Sequence, residues 1–415
     1  MWPANRGPSA FCCELHVLAG RTDRCSTYRL FRNIINDHRC CLNKSIVNHW
    51  QEPIPRKGIF RILVCRPNHR LGNTILLTPL ITELERQYKG AEIDIISEGD
   101  IAEEVFASFF SVKNIFCLPR RGFKHPIAFL GLLSQVRKTT YDLIVDPCVG
   151  SGFSRVLTRV LRGRYKLGFS NYQASRSGLT HAVPEEVAMR HMAKRAINLL
   201  RWTPTQPSAS EGTYPSLDIR LTEAEHAHGR HAICELLCVS HQTRTPPVVG
   251  IFANATGAKR YPMEWWNEFI STFKELSPQS SLIELIPAHG RSMLSEEWPG
   301  YYSSDIRRMG AVMAGLDLMI SADCGVMHLA VASKVPTVGM FCVTDASVYE
   351  PYGLGSCSLL TSGLSAHDAA RQVITSFPAL FGKAPLPVTE YAYAAAEPEP
   401  LFHGGFALEP QALAP

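Results

Sequence analysis

An acid, a glycine and an imidazole (Asp323, Gly325 and His328) stand between an apolar run and a stretch of small residues. The run at 316–320 predicts a buried strand, and 329–333 predicts a helix. Open α/β sheets bind ligands where a strand ends and a helix begins, and free N–H groups at a helix start suit a phosphate. These residues are therefore candidates for a phosphate-binding loop. The alternative is an ordinary turn with a capping Asp and a packed His.

Two further loops follow predicted strands in positions that would line the same cleft. The first, 66–74, leads into a helix start at Asn73 that could receive an anion or a sugar hydroxyl, and its spacing is not that of a Walker loop. The second, 254–262, places the hydroxyl of Thr256 and the ammonium of Lys259 before a helix, which favours a diphosphate cradle. The alternative for Lys259 is a solvated loop charge.

The sequence gives little support for a metal site or a dinucleotide-binding site. No Asp-x-Asp pair follows a predicted strand, so cations and helix starts would have to stabilise a diphosphate leaving group. We therefore expect neither a metal nor a bound cofactor. A Gly-x-Gly at 150–152 follows a strand, but Arg155 occupies the third glycine position and the later acidic residue is missing. Nicotinamide binding is therefore not predicted.

The composition is that of a globular protein with sizeable cores, since 46% of the 415 residues are hydrophobic and 19% are charged. The net charge of +5 suits an anionic ligand or membrane surface, although an ordinary solvated surface is the default explanation. No apolar run reaches about 18 residues, so we predict no transmembrane span. The 13 cysteines form no Cys-x-x-Cys, and several lie in strand-like runs, which predicts reduced thiols in a cytosolic protein.

Predicted strands and helices alternate in two stretches of similar length, so the fold class is α/β, with two domains whose parallel sheets face a central cleft. The longest predicted helix of the first stretch, 74–88, contains Pro79, which should kink its first turns. The expected segments are a basic extension (1–57), a first α/β domain (58–202), a linker (203–217), a second α/β domain (218–365), a last helix (366–382) and a disordered tail (383–415).

The basic extension carries a further pattern, because residues 28–44 combine one apolar helical face with several positive charges. Such a helix can lie on an anionic membrane surface, so we expect peripheral membrane contact there. The alternative is a helix docked on its own domain.

Four groups of residues carry a family resemblance, and they occur in the same order as in that family. They are 61–66 with 71–79, 141–146 with 154–155, 254–262, and 321–330 with 335–336, 341–345 and 351–353. Together they resemble glycosyltransferase family 9, the bacterial heptosyltransferases of lipopolysaccharide core assembly. The resemblance covers roughly residues 61–377, and four ordered matches are more specific than any single one.

The resemblance implies a GT-B fold of two Rossmann-like domains. The first domain takes the acceptor, the second takes the donor, and the final helix crosses back to the first. It also implies inverting transfer from a nucleotide-activated sugar, typically ADP-heptose, without a metal. The donor-binding residues that the motifs imply are Asn254, Thr256, Lys259, Asp323, Gly325 and His328.

One position departs from the family pattern. The family loop usually reads Leu-Gly-Asp, with that Asp as the expected general base, whereas this chain has Asn73. An amide cannot take a proton from a hydroxyl at neutral pH. Either another group is the base, or the leaving diphosphate does most of the work while Asn73 orients the acceptor, or the protein is a weak or inactive relative. The candidate substitutes are His69, Glu98, Asp100 and Asp146.

The sequence as a whole therefore predicts an enzyme that moves a heptose or related sugar onto a lipid-linked saccharide. We expect it in the cytoplasm, at the inner face of the inner membrane, with no nucleic-acid partner. One alternative is a sugar-nucleotide-binding protein without turnover, which Asn73 favours. Another is a two-domain sugar-phosphate epimerase, for which the sequence offers no evident acid–base pair.

Overall fold

The computed structural model describes residues 53–119, 125–170, 177–203, 213–239 and 246–382. These residues contain two six-stranded sheets, and all of the strand pairs are parallel. The first sheet contains β1 (Arg61–Cys65), β2 (Glu92–Glu98), β3 (Val112–Leu118), β4 (Tyr141–Asp146), β5 (Gly163–Phe169) and β6 (His181–Val183). The second contains β7 (Val248–Phe252), β8 (Ser281–Ile286), β9 (Gly300–Tyr302), β10 (Leu318–Ala322), β11 (Thr337–Phe341) and β12 (Cys357–Leu360).

Both sheets have the same strand order when each is counted from its own first strand: β3-β2-β1-β4-β5-β6 and β9-β8-β7-β10-β11-β12. In each half, the chain first forms the two strands on one side of its first strand and then the three strands on the other side. The winding therefore reverses between β1 and β4, and again between β7 and β10. Open parallel sheets bind ligands outside the carboxyl ends of their strands at such a reversal, so the fold offers one such position in each half.

Helices connect the strands in both halves. The first half contains α1 (Leu71–Ile75), α2 (Thr78–Gln87), α3 (Ile101–Val105), α4 (Pro126–Val136), α5 (Gly152–Val160) and α6 (Met192–Arg201). The second half contains α7 (Glu223–Leu236), α8 (Met263–Leu276), α9 (Ile306–Met313), α10 (Gly325–Ala332), α11 (Ala346–Tyr349), α12 (Ala366–Ser376) and α13 (Pro378–Phe381). Single 3₁₀ turns occur at Glu185–Val187 and Gly257–Lys259.

The central strands are continuous apolar runs because both of their faces are covered. Alternate residues of β1 enter different cores: Ile62 and Val64 pack in one, and Leu63 and Cys65 pack in another. Side chains alternate between the two faces of a strand, so this division places β1 between two layers. Each such aliphatic side chain contributes about 1.5–3 kcal/mol on full burial, which fixes the strand that precedes the loop at 66–70.

The predicted helix over 74–88 is interrupted, which corrects the expectation of one kinked helix. The structure has α1 and α2 with Leu76 and Leu77 between them. Pro79 has no N–H to donate and occupies the first turn of α2, where that donor is not needed. As a result, α1 is a separate turn that begins at Leu71 and carries Asn73.

The last helix packs differently from what the resemblance implied. The principal partner of α12 is α8, in the second half, and the ring of Phe381 stands 5.4 Å from that of Phe273. Its buried side chains Ala369, Val373 and Ile374 belong to the core of the second half. The main contacts of 366–381 therefore differ from the expected return to the first half.

The two halves contact each other at several places, and helices of both halves pack together at two of them. Helices α1 and α10 meet at Gly72 and Gly325, and a Cβ built on Gly325 would lie 2.9 Å from the backbone nitrogen of Gly72. Helices α3 and α9 also pack together, and Arg307 on α9 donates to the carbonyl of Glu104 at 3.2 Å and to Ser108 Oγ at 2.9 Å. The first contact joins the strand-end loops of the two halves.

Among the described helices, none has both the length and the apolar character needed to cross a membrane. The proposed membrane segment at 28–44, most of the linker and the tail at 383–415 lie outside the described residues.

Candidate active site

The second half brings Lys259 and Asp323 together at its winding reversal. Lys259 Nζ lies 2.6 Å from Asp323 Oδ2. Asp323 directly follows β10, and Lys259 ends the 3₁₀ turn after β7, so the two residues meet because β7 and β10 are neighbours in the sheet. Asp323 is buried, whereas the Lys259 side chain keeps 30% of its exposure. The ammonium group therefore remains accessible from the cleft while a carboxylate fixes its position.

The loop that carries Lys259 is held by its own side chains. Asn254 Oδ1 accepts a hydrogen bond from Arg260 Nη2 at 3.2 Å, which spans the base of the loop. Gly257 has a φ of 62°, a left-handed conformation that glycine adopts without strain. Thr256, just before it, is exposed at the start of the 3₁₀ turn. Of the two polar residues predicted here, Asn254 shapes the loop and Thr256 presents its hydroxyl to solvent.

Helix α10 begins at Gly325, immediately after Asp323 and Cys324. The residue at its N-cap is Cys324, which has no side-chain oxygen to accept from the first N–H groups. The start of this helix, with its positive dipole end, thus lies beside the Lys259–Asp323 pair. Both features favour a negatively charged ligand at the same position.

His328 lies inside α10 rather than before it, since the helix begins four residues earlier than the sequence predicted. The side chain is buried, and burial lowers the pKa of His328 to about 4, so the imidazole is neutral at physiological pH. Its Nδ1 atom has no hydrogen-bond partner among the described residues. The ring packs against Gly72 of α1, where an added Cβ would lie 2.9 Å from His328 Cδ2. His328 thus stands at the contact between the two halves.

Asn73 and the four candidate bases differ in their surroundings. Asn73 Nδ2 donates to Asn68 Oδ1 at 3.1 Å. Of the candidate bases, Asp100 is an exposed residue before α3. His69 Nδ1 lies 3.1 Å from Glu98 Oε2, so the ends of β1 and β2 bring an imidazole and a carboxylate together.

Asp146 follows a different pattern, because it is fully buried at the end of β4. It accepts hydrogen bonds from Ser154 Oγ and, at 3.1 Å, from the backbone N–H of Cys148, and Arg155 Nε lies 3.5 Å away. Burial raises the pKa of Asp146, and these three partners oppose that rise. The carboxylate therefore holds the loop after β4 together.

Sequence reasoning missed several residues beside these loops. Arg195 on α6 lines a small pocket together with Arg66 and Asn73, although no motif marks its helix. Tyr349 lies between the loops of the second half, with Lys259 Nζ 5.8 Å from its ring centre and the His328 ring 6.3 Å away. Arg66 directly follows β1, and its position at a strand end is the one signal that could have singled it out.

Across the described part of the chain, no group of three or more His, Cys, Asp and Glu side chains has an arrangement that could hold a metal ion.

Comparison with known proteins defines the class. Residues 130–367, more than half of the chain, match the family described as glycosyltransferase family 9 (heptosyltransferase), and the chain belongs to that family. A search of curated protein sequences gave no match.

Solved structures of the family share the fold. The glycosyltransferase of family 9 from Veillonella parvula is 18% identical with a TM-score of 0.63, over 78% of this chain and 97% of that one. E. coli heptosyltransferase WaaC with ADP is 18% identical with a TM-score of 0.58, over 76% and 99%. E. coli ADP-heptose lps heptosyltransferase II is 17% identical with a TM-score of 0.58, over 78% and 98%. The chain thus has the GT-B fold of these heptosyltransferases, as the sequence predicted.

Proposed function

We propose that the protein is an inverting, metal-independent glycosyltransferase. It would move a sugar, heptose from ADP-heptose in the first instance, onto a lipopolysaccharide core or related glycolipid. Membership of the family supports glycosyl transfer, and the observation that carries the proposal is the Lys259–Asp323 pair beside the start of α10. A partly exposed ammonium and the N–H groups at the start of a helix, both at a winding reversal, form a site for a diphosphate.

The proposed donor rests on the relatives of known structure. One structure of E. coli WaaC contains ADP and another contains ADP-2-deoxy-2-fluoro heptose, which supports an adenosine diphosphate sugar here. Asp323 would keep Lys259 in place while the remaining N–H donors of the ammonium bind the diphosphate. Thr256 and the N–H groups at Gly325 would add neutral donors, and neutral His328 would offer one further polar contact. The proposed donor half is 218–365.

In the proposed reaction, the acceptor hydroxyl attacks the anomeric carbon from the side opposite the diphosphate, which inverts the configuration. Negative charge then builds on the leaving diphosphate, where Lys259 and the helix start stabilise it without rearrangement. The proposed acceptor approaches from the first half, 58–202, where Arg66, Arg195 and Asn73 line a pocket. A lipid-linked acceptor would bring the protein to the cytoplasmic face of the inner membrane, with 28–44 as the proposed contact.

The test is the turnover of a Lys259→Met variant with ADP-heptose and heptose-free lipopolysaccharide, followed by ADP release. Loss of one such donor costs about 10²–10³-fold in kcat, and we expect a fall of that size. Lys89→Met, an exposed lysine of the first half, is the matched control and should remain fully active. Unchanged turnover by Lys259→Met would refute the assigned site.

A thermal-shift screen tests the donor. A nucleoside diphosphate sugar at 100 times its Kd should stabilise the protein by about 2.7 kcal/mol. Stabilisation by UDP- or GDP-sugars but not by ADP-heptose would overturn the choice of donor and leave the class of reaction intact.

A second candidate function is donor binding without turnover, which Asn73 favours because an amide cannot accept the acceptor's proton. Purified protein that binds ADP-heptose, yet neither hydrolyses it nor transfers heptose, would support this alternative.

A further inference from the structure

An imidazole and a carboxylate form a pair at the edge of the cleft in the first half. His69 follows β1 and Glu98 ends β2, and the two strands are neighbours, so their carboxyl ends bring the side chains together. His69 Nδ1 lies 3.1 Å from Glu98 Oε2. With Nδ1–H donated to the carboxylate, the lone pair of Nε2 is left to accept a proton. The His69 side chain keeps 47% of its exposure, so a substrate can reach it.

The position of this pair connects it with the second half. His69 lies three residues before Gly72, whose backbone contacts α10. An added Cβ on Gly72 would lie 3.1 Å from Gly325 Cα and 2.9 Å from His328 Cδ2. The loop that carries His69 is therefore held against the start of the helix that follows Asp323.

Other polar groups on this side are less suited to remove a proton. Asp146 is fully buried, so an acceptor hydroxyl cannot reach it; its Oδ1 accepts from Ser154 and the backbone of Cys148, and its Oδ2 lies 3.5 Å from Arg155 Nε. Asn73 is an amide and donates to Asn68. Asp100 is exposed before α3, and its side chain does not cap that helix. Among these candidates, only the imidazole of His69 is both half-exposed and held by a neighbouring carboxylate.

We propose that His69, oriented by Glu98, is the general base of glycosyl transfer, an inference that rests on the proposed function. As the acceptor oxygen forms its bond to the anomeric carbon, Nε2 takes the hydroxyl proton. The bond from the anomeric carbon to the phosphate oxygen breaks, and its electron pair leaves with the diphosphate. The imidazolium then returns the proton to solvent. Glu98 is a positioning residue, because it acts through His69.

The test compares His69→Asn and Glu98→Gln with the full-length wild-type chain, using ADP-heptose and heptose-free lipopolysaccharide. Loss of a general base costs about 10²–10⁴-fold, so kcat of His69→Asn should fall by that factor while the KM for ADP-heptose stays unchanged. The matched control is His367→Asn, an exposed histidine 3.5 Å from the carboxylate of Asp368 in the second half, which should keep full activity.

A pH profile separates a chemical role from a structural one. The charged groups at these strand ends are Glu98 and Asp100 after β2, and Arg66 and Arg70 on the loop of His69. The pH dependence of kcat should differ between wild type and His69→Asn, whereas loss of a residue that only supports the loop would leave it unchanged. Glu98→Gln removes the carboxylate that orients the imidazole, so its kcat should fall while the KM for ADP-heptose stays unchanged.

The results that would refute this assignment of the base differ from those that would refute the proposed function. If wild type neither hydrolyses ADP-heptose nor transfers heptose, the proposed function itself fails. If wild type is active and His69→Asn retains its kcat and its pH profile, only the assignment of the base is overturned. A variant that folds but loses ADP binding also overturns it, because His69 would then be a binding residue. Should His69→Asn not fold, Glu98→Gln decides: an unchanged kcat overturns the assignment.

Discussion

The contact between Gly72 and Gly325 brings the two halves to backbone distance, and it can be tested with a single methyl group. In Gly325→Ala, the new Cβ would lie 2.9 Å from the backbone nitrogen of Gly72 and 3.2 Å from Leu71 Cβ. Both glycines lie in helices without a positive φ, so the cost is steric rather than conformational. Ordinary van der Waals contact requires about 3.5 Å, so α1 must move by roughly 0.5 Å.

The magnitude follows from two opposing effects. Overpacking of this kind typically costs about 1–3 kcal/mol, and a backbone neighbour cannot yield as the end of a flexible side chain can. Alanine is favoured over glycine in a helix by up to about 1 kcal/mol, which offsets part of that cost. The matched control is Gly131→Ala on α4, where the glycine is exposed and a new Cβ meets nothing within 4 Å. The two variants should therefore change stability in opposite directions.

Thermal unfolding and steady-state turnover are the assays. We expect Gly325→Ala to melt a few degrees below wild type and Gly131→Ala to melt slightly above it. Displacement of the helix start by half an ångström should also lower kcat of Gly325→Ala, by about tenfold, since misplacement by 1 Å can cost about 10²-fold. If Gly325→Ala melts as high as Gly131→Ala and turns over like wild type, the two halves are not in rigid contact at this point.

Two other changes probe arginine contacts elsewhere in the fold. Burial raises the pKa of Glu83, but hydrogen bonds from Arg201 and its neighbours outweigh this and lower it to about 2 from 4.5. The folded state therefore gains stability above pH 4.5 and should lose it as pH falls toward 2. Arg86 and Gln87 still donate to Glu83 in Arg201→Met, so this variant should lose about 1.5–3 kcal/mol at pH 7 in urea unfolding, and an unchanged midpoint would contradict this. Arg307→Met removes donors to Glu104 and Ser108, so hydrogen exchange of the α3 amides should accelerate, and unaltered exchange would show that other contacts hold α3.

The central strands could be predicted from the sequence because burial on both faces makes them continuous apolar runs. The apolar run at 316–320 predicted a buried strand, and the structure has β10 two residues later, at Leu318–Ala322. The edge strands β6 and β9 give no such signal, because three residues that pair along one side only leave no periodic pattern.

The site was predictable in its loops but not in its partners. Strand ends identified the loops of Lys259 and Asp323, but their 2.6 Å contact depends on which strands are neighbours, and the spacing in the sequence does not reveal that. The same holds for the approach of His69 to Glu98. Arg195 carried no signal, because its helix has no motif and reaches the pocket through tertiary packing alone.

The two halves use the same strand order for different chemistry. Each places an acid at the end of its fourth strand, Asp146 after β4 and Asp323 after β10, and each acid meets a cation. Asp146 is enclosed with Arg155 and a serine hydroxyl, so its pair stabilises a loop. The pair of Asp323 leaves the lysine partly exposed, so it can meet a ligand.

Asp146, the acid at the winding reversal of the first half, is committed to structure, and the loops at 66–70 and 147–151 contain no other carboxylate to accept a proton. The carboxyl end of β2, the next strand outward, supplies Glu98, and the loop after β1 brings His69 to it at 3.1 Å. The family match begins at residue 130, so it assigns no role to this loop. If the proposed transfer is correct, the proton is taken beside the end of β2 and not at the winding reversal. Substitution of His69 should then lower kcat, whereas substitution of Asp146 should lower the stability of the fold.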